Sequence, residues 1–216
     1  MSLTIAFSTR DIDNDYVNHL KMTCGVKDVE ILPYVNNGEF SLTQIYNKVL
    51  NYSSNDVIVF AHDDIILENN KWGKKLLSHY NNSEYGLIGV AGTTHMASTG
   101  RWWQDNTKMM GRVKHTKDGK TWENKYCTVF PKEILETWCL DGVIFSCHRK
   151  RIKSNFDEDV KGFHFYEIVF TFKNHLLGVK TGIVFDIKII HKSIGMTNDE
   201  WEENRKQFVE KFSLHP

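Results

Sequence analysis

Residues 57–67, VIVFAHDDIIL, constrain the fold of this chain more than any other segment. The strand predicted at residues 56–67 is nearly continuous in Val, Ile and Phe before His62. A strand that is apolar on both faces is typical of a parallel sheet covered by helices on either side. The segment therefore predicts an α/β protein whose third strand ends in polar residues at the edge of the sheet.

The segments on either side of this strand repeat the order of strand and then helix. Strands are predicted at residues 3–8, 29–35 and 86–92, and helices at residues 16–24, after Ser41 and at residues 72–80. Ser41 is a favourable N-cap residue, and Gly25 is well placed to end the first helix. In such sheets ligands bind beyond the carboxyl ends of the strands. We therefore expect the polar ends of strands one, two and three to converge.

The second half of the chain is less regular. From residue 93 to 126 the periodicity fails and Gly, Lys, Trp and Thr are frequent, which predicts a long loop or a hairpin over the site. Periodicity returns from residue 133, and a polar helix is expected from about Asn198 to Phe212. A chain of 216 residues with 41% hydrophobic residues can bury one substantial core, which favours a single domain spanning residues 1–216.

Charge and cysteine content exclude several classes of protein. Lys plus Arg and Asp plus Glu both number 27, so no overall field attracts nucleic acid or an anionic membrane. Four cysteines without a CxxC pair indicate reduced thiols. No stretch approaches the roughly 18 apolar residues of a membrane span, and the N-terminal residues lack the features of a signal peptide. We expect a soluble, cytoplasmic protein, and leave peripheral association with a membrane open.

Two adjacent aspartates follow the third strand. Neighbouring residues of a strand point to opposite faces, so only one of Asp63 and Asp64 is expected to enter the cleft directly, together with His62 on the side of Asp64. A carboxylate at this edge suits Mg²⁺ or Mn²⁺, which prefer oxygen ligands. The alternative is a capping or solvated pair of acids after a core strand.

The stretch SLTQIYNKVLNYSSNDVIVFAHDDIIL resembles the family-2 glycosyltransferases, in which a helix bearing an Asn leads into a strand ending in a DXD metal motif. Asn47 matches that Asn and Asp64 the last acid. His62 replaces the first acid, and the pattern His-x-Asp is similar to that of a subgroup of the family. The resemblance continues, in the order of the family, through GLIGVAGTTHMASTGRWW, LDGVIFSCHR, FHFYEIVFTFKNHLLG and IIHKSIG.

The resemblance implies a GT-A-like α/β fold, with a mixed, mostly parallel sheet flanked by helices. It divides the domain into a nucleotide-binding half (1–92), an acceptor and catalytic half (93–197) and a C-terminal helix (198–216). It also implies that Asp64 and the late His191 ligate Mn²⁺ or Mg²⁺ and that Lys192 meets phosphate, while His62 ligates the metal, contacts phosphate or packs. For His19, His79, His115 and His175, packing is the better interpretation.

Glu167 matches the catalytic base of the family, with Tyr166 in place of the preceding acid. An inverting transfer needs one carboxylate to take the proton of the acceptor hydroxyl. The alternative is an acid stabilised by the dipole at a helix N-terminus. Asp141 is the second candidate, and either binds a hydroxyl of a substrate or closes a turn with Gly142.

The nucleotide is expected over the ends of strands one and two. Ser8, Thr9 and Arg10 are placed to approach base and phosphate, and Asn36 or Asn37 to read the base edge. Asn47, His62 and Asp63 are further candidates for binding the donor. Trp102 and Trp103 are candidates for stacking on a sugar ring, although packing is at least as good an interpretation for one of them.

The predicted function is a metal-dependent, inverting glycosyltransferase that moves a sugar from a nucleotide-diphosphate-sugar, with a UDP-sugar favoured, to a carbohydrate or other hydroxyl acceptor. One alternative is a nucleotide-sugar-binding domain of the same fold that does not need Glu167. A phosphatase of the haloacid-dehalogenase kind is disfavoured because its second aspartate, two residues after the first, is absent. A nucleic-acid-binding module would rest only on the basic residues 148–151 and 114–120.

Overall fold

The structure is a computed structural model that describes residues 1–214. Five helices in this part of the chain are α1 (Asn14–Cys24), α2 (Leu42–Tyr52), α3 (Trp72–Asn81), α4 (Tyr166–Leu176) and α5 (Asp199–Lys211). The strands are β1 (Leu3–Thr9), β2 (Glu30–Val35), β3 (Val57–Ala61), β4 (Ile65–Leu67), β5 (Leu87–Gly89), β6 (Ala91–Thr93), β7 (Met109–Lys117), β8 (Lys120–Lys125), β9 (Leu135–Glu136), β10 (Cys139–Leu140), β11 (Ile144–His148), β12 (Thr181–Ile183) and β13 (Ile189–His191). The predicted segment 198–216 includes residues 215 and 216, which lie outside the described residues.

The main sheet is mixed and has the strand order β2-β1-β3-β11-β5-β12-β9. Strands β2, β1 and β3 are parallel, and β5 and β12 are also parallel, whereas β11 runs antiparallel between β3 and β5. A second, six-stranded sheet has the order β10-β6-β7-β13-β4, with β8 paired to β7. The carboxyl ends of β1 and β3 therefore lie at one edge of the main sheet, as expected.

The strand predicted at residues 56–67 is not continuous. β3 ends at Ala61, Asp63 and Asp64 form a turn, and β4 pairs antiparallel with β13 in the second sheet. The backbone is held where it leaves the main sheet, because the His62 N–H donates to the Val143 carbonyl (3.1 Å) and the Tyr16 hydroxyl donates to the His62 carbonyl (2.7 Å). The chain thus changes sheets at the predicted metal motif, and the alternation of a regular strand does not apply there.

The strand predicted at residues 86–92 is divided in the same way. β5 belongs to the main sheet, and β6 pairs with β7 in the second sheet. The irregular residues 93–126 form a loop followed by the β7–β8 hairpin, one of the two predicted outcomes.

Helix α1 ends and helix α2 begins as predicted, whereas α1 begins at Asn14 rather than at Tyr16. The Asp13 carboxylate caps α1 by accepting from the N–H groups of Asp15 and Tyr16, and Gly25 follows with a left-handed φ of 73°. Ser41 caps α2 in a capping box with Gln44, in which each side chain accepts from the backbone of the other residue.

A buried aromatic cluster lies between α2, the main sheet and α4. Phe60 of β3 packs edge-on against Phe156 (5.1 Å between ring centroids), and Phe156 stacks on Phe170 of α4 at 4.0 Å. Tyr46 and Phe145 complete it. The cluster fixes α4 on the sheet and thereby the position of its first turn.

In the described residues, no helix is long and apolar enough to cross a bilayer.

Candidate active site

A cleft of about 1070 Å³ opens at the carboxyl ends of β1 and β3 and reaches the first turn of α4. Most residues predicted to form the site line it, namely Ser8, Thr9, Arg10, Asn36, His62, Asp63, Asp64, Asp141, Glu167 and His191. Asn47 and Lys192 do not line it. Elements far apart in the sequence therefore meet at one cavity.

His62, Asp64 and His191 form a compact group whose ligand atoms all lie within 4.8 Å of one another. The Nε2 atom of His191 is 3.2 Å from the Asp64 Oδ1 atom and 3.2 Å from the His62 Nδ1 atom. The β3–β4 turn supplies two of these side chains and β13 the third, because β4 and β13 are paired. Two imidazole nitrogens and one carboxylate oxygen on one side of a cleft are a suitable donor set for a divalent transition metal.

The electrostatics of this group favour the forms that ligate metals. Burial opposes ionisation of Asp64, but hydrogen bonding and attraction from His191, with Ser193 and His62, outweigh it and lower the pKa to about 2. Burial, followed by the charge of His191, lowers the pKa of His62. The site therefore presents a carboxylate and, at His62, a ring that tends to be neutral.

His115 supports this group from the neighbouring strand. It is the register partner of His191 across the parallel pair β7–β13 and is 8% exposed. Its Nδ1 atom lies 3.0 Å from the Ser193 carbonyl, and the Ser193 hydroxyl lies 3.1 Å from the His191 Nε2 atom. Because a carbonyl only accepts, Nδ1 of His115 is the donor, while its buried Nε2 has no protein partner. No local sequence signal indicates this role of His115, because the role depends on the pairing of β7 with β13.

Glu167 lies in the first turn of α4 and points into the same cleft. Its Oε2 atom is buried without a hydrogen-bond partner. Burial, reinforced by the charge of Asp141, raises the pKa of Glu167 from 4.5 to about 8. The residue before the helix, Phe165, has a left-handed φ of 64°, which is rare for a bulky side chain and concentrates at functional sites. Glu167 is therefore a carboxyl group placed and tuned to exchange a proton near neutral pH.

Asp141 and Gly142 face Glu167. One oxygen of Asp141 accepts from the Val143 N–H (2.9 Å), so the residue closes a turn and lines the cleft at once. Gly142 permits close approach, because a Cβ atom there would lie 2.6 Å from the Tyr166 hydroxyl and 3.0 Å from the Glu167 Cδ atom. Tyr166, in place of an acid, donates its hydroxyl to the Gly142 carbonyl at 3.1 Å. These contacts hold the turn at residues 141–143 against the first turn of α4.

At the predicted nucleotide end, several side chains already have partners within the protein. The Thr9 hydroxyl donates to the Asp11 carbonyl (2.6 Å). Asn36 donates to the Phe40 carbonyl (2.9 Å) and accepts from the backbone of Gly38 and Phe40, so its side chain shapes the β2–α2 loop. Arg10 is exposed after the end of β1 and, within residues 1–214, is the one arginine lining the cleft.

The structure does not bring Asn47 and Lys192 into the site. The Asn47 amide donates to the Phe156 carbonyl (3.0 Å) and to Glu158, and accepts from the Phe156 N–H (3.0 Å). It therefore joins α2 to the segment before α4, which is a structural role. The Lys192 backbone N–H donates to the Asp64 carbonyl (2.9 Å), while the charge of Lys192, after burial, lowers the pKa of His19 on α1.

The two adjacent tryptophans have different environments. Trp102 is 5% exposed and packs edge-on against Tyr126, whereas Trp103 is 38% exposed at the cleft and lies 5.3 Å from Trp201 of α5. One of the pair is thus a core residue, and the other presents a ring to the cavity.

Carboxylates dominate the charge of the cleft. The acids that line it are Asp11, Asp13, Asp63, Asp64, Asp141 and Glu167. No lysine in the described part of the chain lines the cavity. An anionic ligand would therefore find repulsion at most positions unless a cation accompanied it.

A model of the glycosyltransferase-like family matches residues 12–212 of this chain. No curated protein matches its sequence. Solved structures with a similar fold include GalNAc-T7 with UDP, GalNAc and Mn²⁺, at a TM-score of 0.61 and 9% identity, covering 97% of this chain and 48% of that one. The chain thus spans about half the length of GalNAc-T7.

Two further structures are similar over nearly the whole chain. The mannosyltransferase PcManGT from Pyrobaculum calidifontis, in complex with GDP-Man and Mn²⁺, aligns at a TM-score of 0.55 and 9% identity, over 98% of this chain and 64% of that one. TarS from S. aureus aligns at 0.58 and 11% identity, over 97% of this chain and 39% of that one. Likeness at such identities establishes the fold alone, and it confirms the predicted GT-A-like α/β architecture.

Proposed function

Because the chain belongs to the glycosyltransferase-like family, we propose that its cleft transfers a sugar from a nucleotide-diphosphate-sugar to a hydroxyl acceptor with the help of a divalent metal ion. His62, Asp64 and His191 would hold the ion, and Glu167 would act as the base. The observation that carries the proposal is the convergence of three ligand atoms within 4.8 Å in the cavity that also contains Glu167.

The charge of the cleft supports dependence on a metal. Among the residues that the structure describes, six acids and one arginine line it, so a diphosphate has few cationic side chains to bind. A divalent ion at the three ligands would neutralise the donor diphosphate and stabilise it as a leaving group. Two imidazoles in the donor set favour Mn²⁺ over Mg²⁺, which prefers oxygen ligands.

The reaction assigns a distinct role to each acid near α4. Glu167, ionised, takes the proton of the acceptor hydroxyl as the acceptor oxygen bonds to the anomeric carbon. The bond between that carbon and the diphosphate oxygen breaks, and its electron pair leaves with the diphosphate. Asp141, across from Glu167, has one oxygen that is not used by Val143 and can accept from a sugar hydroxyl. A single base on the acceptor side corresponds to inversion at the anomeric carbon.

The nucleotide would lie at the ends of β1 and β2, with the Arg10 guanidinium near phosphate. The side chain of Asn36 is engaged with its own loop, so the base edge would be read mainly by backbone groups there. Neither contact distinguishes UDP from GDP. The similar structures bind one or the other, since GalNAc-T7 was solved with UDP and PcManGT with GDP-Man.

A thermal-shift panel of UDP-, GDP-, CMP- and dTDP-sugars, each with and without Mn²⁺, tests the proposal. A ligand that binds only the folded state raises the melting temperature. We expect a shift with at least one donor in Mn²⁺ and none in its absence. No metal-dependent shift with any donor would contradict the proposal.

Turnover separates an enzyme from a binding domain of the same fold. With the donor found in the panel, Glu167→Gln should keep the Mn²⁺-dependent thermal shift and lower transfer by roughly 10²- to 10⁴-fold, the usual contribution of a general base. Wild-type turnover in Glu167→Gln would reject Glu167 as the base. Binding without any turnover in the wild-type protein would favour the binding domain.

A further inference from the structure

Four large apolar side chains are exposed in the cleft. They are Trp103 (38% exposed), Phe163 (47%), Ile194 (40%) and Met196 (76%). We name these four residues the apolar rim. Their exposure is not scattered over the surface, since all of them line the same cavity as Glu167. Exposed apolar side chains in the same cavity as the proposed catalytic groups indicate a surface that binds a substrate.

Helix α5 holds the two aromatic members of the rim in place. The Trp103 ring lies 5.3 Å from Trp201, and the Phe163 N–H donates to the Glu200 carboxylate at 3.0 Å. Gly162 precedes Phe163 with a left-handed φ of 67°, and a Cβ there would clash with Glu200. The Trp103 ring and the backbone at Phe163 are therefore held against α5, which limits the entropy lost when a ligand binds there.

The two aromatic members of the rim are linked to the segment that leads into the proposed base. Phe163 precedes Glu167 by one short segment, and Phe165, between them, packs at 5.2 Å against Trp201, which also contacts Trp103. A molecule stacked on Trp103 and Phe163 would therefore occupy the cavity that also contains the Glu167 carboxyl group.

The charges in the cleft disfavour an anionic acceptor. Asp141 and Glu167 line the cleft with four further acids, and no lysine in the described residues lines it. The nearby Arg101 guanidinium does not line the cavity and is paired with Glu202 at 3.5 Å. A phosphate or carboxylate group on the acceptor would therefore meet acids without a compensating cation.

Resting on the proposed function, we infer that the acceptor is a neutral saccharide whose apolar ring face stacks on Trp103 and Phe163. The C–H groups on one face of a pyranose suit the electron-rich face of an aromatic ring. The hydroxyl groups at the edge of the same ring can then reach Asp141 and Glu167.

Saturation-transfer NMR with methyl glycosides of glucose, galactose and N-acetylglucosamine tests the stacking directly and without turnover. We expect saturation of ring protons on one face of at least one glycoside, and no signal for the corresponding sugar 6-phosphates. Trp103→Ala and Phe163→Ala should each abolish the signal, Trp103→Phe should retain part of it, and Tyr52→Ala, which removes an exposed ring outside the cleft, should leave it unchanged.

Kinetics separate this inference from the proposed function. In transfer to the bound glycoside, Trp103→Ala and Phe163→Ala should raise the acceptor KM at least 10-fold, while Tyr52→Ala should leave the acceptor KM and the metal-dependent hydrolysis of the donor unchanged. Unchanged acceptor KM in both variants, or transfer only to anionic acceptors such as sugar phosphates or a polyprenyl phosphate, would overturn the inference while donor hydrolysis persists. Loss of donor binding and hydrolysis in the wild-type protein would instead reject the proposed function.

Discussion

At the scale of single residues, the buried carboxyl group of Glu167, whose Oε2 atom has no hydrogen-bond partner, has the most direct consequence for activity. Its pKa of about 8 results first from burial and then from Asp141. The base acts only when ionised, so kcat/KM should rise about tenfold per pH unit below 8 and level off above it. A pH profile of transfer or donor hydrolysis measures this midpoint.

Asp141→Asn tests the cause of this pKa. The substitution removes a negative charge and keeps an oxygen that can accept from the Val143 N–H. The pKa of Glu167 should therefore fall, and the midpoint of the profile should move to lower pH, even if the maximal rate declines. A midpoint that stays in place would show that Asp141 does not influence the base.

His115 provides a second test at this scale. It donates to the Ser193 carbonyl and so holds the backbone two residues after His191, a proposed metal ligand. Loss of such a support typically lowers metal affinity about 10- to 100-fold. His115→Leu should show this loss for Mn²⁺ by calorimetry, whereas His115→Asn, which can donate in place of Nδ1, should restore most of the affinity.

The control for His115 is His175→Leu, a change to a histidine on α4 that stacks on Trp138. The affinity of the His175→Leu variant for Mn²⁺ should equal that of the wild-type protein. Equal losses in His115→Leu and His175→Leu, or no loss in either, would show that the effect is not specific to the Ser193 contact.

His62 distinguishes this site from a DXD motif, which has an acid at its first position as well as at its last. His62→Asp exchanges an imidazole nitrogen for a carboxylate oxygen, which Mg²⁺ binds better. The ratio of Mg²⁺-supported to Mn²⁺-supported donor hydrolysis should therefore increase. A ratio identical to that of the wild type would indicate that His62 is not a ligand.

At the scale of elements, the sequence predicted helices better than strand ends. Apolar periodicity and the caps at Ser41 and Gly25 specify α1 and α2 locally, and both helices agree with the structure. The break after Ala61 has no such local signal, because it depends on the contacts of His62 with Tyr16 and Val143. For the same reason, the approach of His115 to His191 could not be read from spacing.

Asn47 illustrates how a family motif can have a structural role. Its three hydrogen bonds join α2 to the residues before α4. Asn47→Ala leaves buried or half-buried backbone groups of Phe156 unpaired and should lower the free energy of unfolding by about 1–3 kcal/mol. Urea denaturation measures the loss. At temperatures where the variant is folded, its affinity for a nucleoside diphosphate in Mn²⁺ should equal that of the wild type. A loss of that affinity without a loss of stability would show that Asn47 binds the donor.

At the scale of the whole molecule, two sheets meet where the main chain passes from one to the other, and the proposed metal ligands lie at that junction. β3 belongs to the main sheet, while β4 and β13 belong to the second. Binding of a metal ion should therefore stabilise the contact between the sheets as well as the donor. The patterns along the chain and the family resemblance predicted the α/β class, and most of the predicted site residues line the cleft. They did not predict this division into two sheets.

Calorimetric titration of UDP and GDP into the protein, with and without Mn²⁺, tests the central claim most directly. We expect at least one of the two nucleotides to bind in Mn²⁺, no measurable binding without the ion, and loss of binding in Asp64→Ala and His191→Ala. Equal affinity with and without Mn²⁺, or full metal-dependent binding in both variants, would contradict the claim that these residues hold the ion that binds the donor.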